Sequence, residues 1–228
     1  MSAVIEKITL YDFFCYLLPG SIFISLLTVR GYHELDSKIL NILQEYKSFF
    51  VLLFFLWGFL AGLILSELSR MISDFIDGRG MRYRYAKLIK QNANIEMDVL
   101  KESIEKIGLT ENAVINNEDD LLKYLPAIYG SVQTDEKYKR IHNYASSEGL
   151  YKNMSAAILF GGLPEIVYLI KNFQGWFIWI LIAIWMLSVI LLIHRYYRFH
   201  IKKYTYSLIW FVEKAMSDSD TENRAQAI

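Results

Sequence analysis

Any chemistry in this chain has to come from a small set of residues. The carboxylate of Glu165 follows Pro164 inside an apolar run that otherwise carries no charge. A carboxylate at membrane depth costs roughly 3 kcal/mol, and such groups mark ion paths or cation sites when they face other helices. Pro164 leaves the carbonyl four residues earlier without its amide and can kink the helix at that point. Pro164 and Glu165 could therefore line a polar path. A simpler reading also fits. Lys171 follows after only five apolar residues, so Glu165 can sit near an interface, snorkelling or paired with Lys171, and the sequence favours this.

Other chemical groups are dispersed. His33, His142, His194 and His200 have no spaced partners, and the single cysteine, Cys15, lies inside an apolar run. Neither pattern gives a metal site or a disulfide framework. Glu67 with Arg70 and Asp74 is the one charged cluster near a span end. The chain has no phosphate-binding glycine loop, no H-E-x-x-H, no nucleophile elbow and no dinucleotide turn. The expectation is a protein without catalytic residues, metal or cofactor.

Two further patterns concern contacts. Gly58, Gly62 and Ser66 recur four apart, and Ala157 and Gly161 repeat the spacing. Small residues at this spacing let helix backbones approach closely. We expect them at a homo-oligomer contact, with packing inside one subunit as the equal alternative. Ile95, Val99, Ile104 and Ile107 form an apolar stripe at near-helical spacing. About 80 residues bury a modest fraction of their surface, so this stripe is expected to meet a partner protein.

The elements that position these residues are long apolar runs. Phe13 to Val29, Ser48 to Ser66 and Asn172 to Ile193 carry no charge, and Asn153 to Ile170 carries only Glu165. Each is near the roughly 20 helical residues needed to cross a bilayer core of about 30 Å. The fold class expected is all-α and integral membrane, with four transmembrane helices and a small cytoplasmic helical domain. Residues 1–70 form a membrane hairpin with spans at about 11–30 and 47–68. Residues 71–152 form the helical domain. Residues 153–200 form a second hairpin, with spans at about 153–171 and 173–194. Residues 201–228 hold an interfacial helix over Ile201–Met216 and a disordered tail.

Local signals mark boundaries. Thr9 can cap the first span, with Asp12 suited to the helix dipole. Tyr11-Asp12-Phe13-Phe14 and Pro19-Gly20 mark a helix start and a bend. Gly78 and Gly80 suggest a hinge after span two, and Pro126 a short or kinked helix.

Basic residues set the orientation. Arg70, Arg79, Arg82, Arg84, Lys87 and Lys90 follow span two, and Arg195, Arg198, Lys202 and Lys203 follow span four. The loops at 31–46 and 171–174 carry few. The bias places both termini and the helical domain in the cytoplasm. Aromatic residues interleaved with this charge read as interfacial anchors, with no direct nucleic-acid binding expected. Lys+Arg and Asp+Glu are equal at 24 each, so net charge points to no polyanionic partner.

The Tyr-Asp-Phe-Phe entry, the Pro-Gly of span one and the small-residue span two resemble bacterial inner-membrane proteins; the four-span plan with a modest cytoplasmic helical domain resembles, in architecture only, the membrane subunit of Kiwa-type antiphage systems. That resemblance implies an oligomeric membrane sensor or scaffold in antiviral defence that signals to a cytosolic effector protein. The partners expected are therefore a second copy of the chain, such an effector and the lipid bilayer. A small channel or pore-forming effector is the alternative.

Overall fold

The computed structural model describes residues 13–33, 46–76, 79–107, 118–133, 140–172 and 175–226. All are helical apart from short turns, and no strand occurs among them. One π-helical turn, Phe13–Leu17, leads into α1, Leu18–His33. Then follow α2 (Lys47–Ile76), α3 (Arg79–Ala93), α4 (Met97–Lys106), α5 (Glu118–Gln133), α6 (Arg140–Asn172) and α7 (Trp176–Gln226). Three of these, α2, α6 and α7, contain stretches long and apolar enough to cross a membrane. The fourth expected span is a shorter apolar helix, Phe13–Thr28.

The chain separates into two compact units. The first draws on Met1–Ser73 and Ser146–Tyr197, the second on Asp74–Ala145 and Arg198–Ile228. In the first unit the apolar helices present large side chains outward. Leu52, Trp57 and Ile64 of α2 are 67%, 59% and 63% exposed, and Trp176, Trp179 and Leu187 of α7 are also exposed. Continuous apolar exposure of this kind is out of place in water and suited to hydrocarbon. The interior of this unit is small-residue packing. Leu65, Ala156 and Ala157 form its core, with Phe23 and Phe160 packed against them.

The second unit has a core of ordinary large apolar side chains. Tyr85, Ile89, Leu100, Ile104, Leu121, Leu125, Ile128, Val132, Ile141, Leu208 and Phe211 are all buried. They come from α3, α4, α5, the first turn of α6 and the second half of α7. Here the structure differs from the expectation for residues 201–216. No separate helix forms there; α7 continues without a break, and Leu208, Phe211, Val212 and Ala215 are buried within the second unit. Burial against neighbouring helices supplies the apolar contact that a membrane surface would otherwise give. The expected tail from Ser217 is likewise helical to Gln226. Once a helix exists, each further residue adds a hydrogen bond without a new nucleation cost.

Two prolines sit inside helices. Pro126 lies within α5, which runs on to Gln133; its exposed position lets solvent take up the freed carbonyl. The expected cap at Thr9 and Asp12, the loop at 31–46 and the hinge residue Gly78 lie wholly or largely outside the described residues. Gly80 lies in the first turn of α3.

Candidate functional site

The motif residues of the first unit meet at one joint. In an α-helix the Cys15 carbonyl would accept the amide of residue 19, but Pro19 has none. Instead Asn153 of α6 donates to it through Nδ2 at 2.6 Å. Asn153 is 1% exposed, and its other amide atom, Oδ1, accepts from the Ser69 hydroxyl of α2 at 2.7 Å. That hydroxyl also lies 2.9 Å from the Ser66 carbonyl. The Cys15 thiol points at the Ser146 carbonyl at 3.5 Å. One buried amide thus ties α1, α2 and α6 together, and the π turn at Phe13–Leu17 lies where the proline disturbs the ladder.

Above this joint the backbones touch. A methyl group added at Gly20 would overlap the Gly58 carbonyl, and one at Gly62 would overlap the backbone of Tyr16. Gly58 faces Ser21, and the Tyr16 and Phe59 rings meet edge to face at 6.1 Å. Gly161 meets Phe23 and Leu26 of α1, and Ala157 packs in the core with Leu65. This corrects the expectation for the small residues. Gly58, Gly62, Ala157 and Gly161 are occupied within the chain, where α1 takes the place assigned to a second copy. Ser66 contributes its carbonyl to the joint rather than a surface.

Two further polar links hold the fourth apolar helix. The Trp185 indole donates to the Ile158 carbonyl at 2.9 Å, in space left by the missing side chain of Gly162. Ser73 and Tyr196 share a hydrogen bond at 3.2 Å. In hydrocarbon such groups have no water to fall back on, so each link favours the packed state.

Pro164 is exposed and lines an open groove of about 520 Å³ with Phe160, Leu163, Val167, Tyr168, Lys171 and Asn172. Glu165 is half-buried and makes no ion pair with Lys171 among the described residues. Six residues place the two about 120° apart around the helix, on different faces. Of the charged cluster near span two, Glu67 and Arg70 form an exposed ion pair at 2.9 Å. Among the described residues, no three His, Cys, Asp or Glu side chains gather where a metal ion could sit.

In the second unit the isoleucine stripe is partly internal. Ile104 is 0% exposed, beside the buried Leu100 and Ser103, while Ile95, Val99 and Ile107 are half-buried. Of the stripe expected to meet a partner, Ile104 is wholly covered by the unit itself, while Ile95, Val99 and Ile107 keep partial exposure, and Asp98, Glu102 and Glu105 of α4 are exposed. Aromatic and basic side chains of α7 knit the same unit. The Lys203 ammonium sits 4.3 Å from the Tyr204 ring centre and 5.2 Å from that of Tyr129, and Tyr144 stacks on Tyr206 at 5.2 Å. These are internal cation–π and ring contacts, placed two or three turns beyond the end of the apolar run.

Sequence reasoning missed Asn153, Ser69, Trp185 and Tyr196. A signal existed for the first: Pro19 in an apolar helix implies an orphaned carbonyl at Cys15 that must find a donor. Among the described residues the fold is all-helical, and three of its helices are long and apolar enough to span a membrane. No protein-family model matches the chain, no curated protein matches it, and no solved structure matches it.

Proposed function

We propose that this chain is a multi-pass scaffold or sensor of the bacterial inner membrane, with four spans, both termini and the second unit in the cytoplasm, working as a homo-oligomer and signalling to a cytosolic effector protein. A role in antiviral defence follows from the resemblance to the Kiwa-type membrane subunit. The observation that carries the reading is the second unit's own apolar core, from Tyr85 through Phe211. A folded helical body outside the apolar helices suits recognition of a protein. The first unit supports the same choice over a channel. Its helices close on each other through Gly20, Gly58 and Gly62, and two of its buried polar side chains, Asn153 and Ser69, are bonded to each other.

Since Ile104 is internal, partner contact is better sought on the acidic outer face of α4. The test is purification of the full chain in mild detergent, with its mass and its co-purifying cytosolic protein measured for three proteins: wild type, Asp98→Lys with Glu105→Lys, and Glu165→Gln. Membrane potential is recorded in cells expressing each. The scaffold reading expects a multimeric mass, loss of the partner in the α4 variant and no effect of Glu165→Gln. A collapse of ion flux in Glu165→Gln, with the α4 variant unaffected, would replace the scaffold with the channel.

A further inference from the structure

α3 has two opposed sides. Tyr85, Ala86, Ile89 and Ala93 are buried in the second unit. Arg84, Lys87, Leu88 and Gln91 are exposed, and at about 100° per residue these four fall within roughly 100° of arc. Leu88, at the edge of that arc beside Arg84, is 41% exposed, and the exposed Asn92 lies next to it.

The charge on this face is unbalanced. The sequence from 78 to 95 holds five Arg and Lys residues and no Asp or Glu. Three exposed basic side chains on other helices have acidic partners on their own helix: Arg70 with Glu67, Lys106 with Glu102 and Lys123 with Asp120. Arg84 and Lys87 carry no ion pair among the described residues. The acidic residues of this region begin at Glu96 and continue on α4. α3 also starts six residues after the apolar stretch of α2 ends at Ser73, a chain length that reaches at most about 20 Å.

We propose that the exposed face of α3 binds anionic phospholipid, with Arg84 and Lys87 on headgroup phosphates and Leu88 entering the apolar boundary beneath them. Two cations with an apolar side chain at their edge match a surface that is anionic outside and hydrocarbon inside. Nucleic acid fits this face less well, because the exposed side chains described on it, Arg84, Lys87, Leu88, Gln91 and Asn92, carry no aromatic ring for stacking. The shallow pocket at the helix's far end, lined by Lys87, Lys90, Gln91, Asn94, Ile95 and Glu96, is not part of the site. Glu96 and the carbonyl end of the helix both disfavour phosphate there. The inference rests on α2 crossing the bilayer and is independent of any protein partner.

The test uses the full chain in detergent, titrated with phosphatidylglycerol or phosphatidylcholine and read by native mass spectrometry. Wild type is expected to retain phosphatidylglycerol preferentially. Arg84→Gln with Lys87→Gln should weaken that binding about 20-fold, as each basic residue near an anionic surface contributes roughly fivefold. Arg84→Lys with Lys87→Arg should keep it, and Arg70→Gln, which removes a paired charge, should change it little. An unaltered thermal transition reports that each variant is folded. Equal retention of both lipids by wild type, or an undiminished preference in a folded Arg84→Gln, Lys87→Gln protein, overturns the proposal. So does displacement of the lipid by equimolar inorganic phosphate, which would make this a free-phosphate site. Tighter binding of single-stranded DNA through the same two residues would make it a nucleic-acid face.

Discussion

Asn153 shows how one side chain can organise three helices. Its two amide atoms serve the Cys15 carbonyl and the Ser69 hydroxyl, and both links are buried. Replacing it with leucine keeps the branched outline of the side chain but removes the amide that this carbonyl and this hydroxyl use. We expect a loss of about 1–2 kcal/mol, read by thermal or denaturant unfolding in one detergent. The cause can be separated from generic disruption. Pro19→Ala returns an amide to the Cys15 carbonyl, so Asn153→Leu should cost less in that background, with a coupling of about 0.5–1.5 kcal/mol. Additive effects would mean that Asn153 does not answer the proline. None of this was legible as a site in the sequence. The two partners are 138 residues apart, and an asparagine at the start of an apolar run reads as a boundary residue until the missing amide of Pro19 is considered.

At the scale of elements, glycines separate into those that touch and those that do not. Gly62 of α2 lies against the Tyr16 backbone, whereas a side chain at Gly130 of α5 would meet nothing within 4 Å. Gly62→Ala should therefore lower the melting temperature, by overpacking worth about 1–3 kcal/mol. Gly130→Ala should raise it, by up to about 1 kcal/mol of helix propensity. Melting both variants in the same detergent checks the pair, and a stabilised Gly62→Ala would refute the close approach of α1 and α2. The helices were mostly legible, because uncharged runs such as Ser48–Ser66 state their own length and type. What faces each helix was not. The four-residue spacing of Gly58 and Gly62 specifies a close backbone but not whose, and the structure supplies α1. Likewise the period of Ile95, Val99, Ile104 and Ile107 marks an apolar side at α4, but only Ile104 is fully buried, and spacing alone does not say which of the four a neighbour covers.

For the whole molecule, the distribution of basic residues predicts where each segment lies. In a Cys15→Ser background, a cysteine at the exposed Asp98 should resist an impermeant thiol reagent added to intact cells, and one at Ser37 should react; the opposite pattern would invert the topology. The buried joint also carries a consequence for how the protein is made. Synthesis reaches Asn153 only after the first two apolar segments have left the ribosome, and at about 5–20 residues per second the 138-residue separation corresponds to roughly 7–28 seconds. Until Asn153 has been made, the Cys15–Asn153 hydrogen bond cannot form, so the tie among the three helices closes late. Assembly of this chain is thus timed by one amide arriving late.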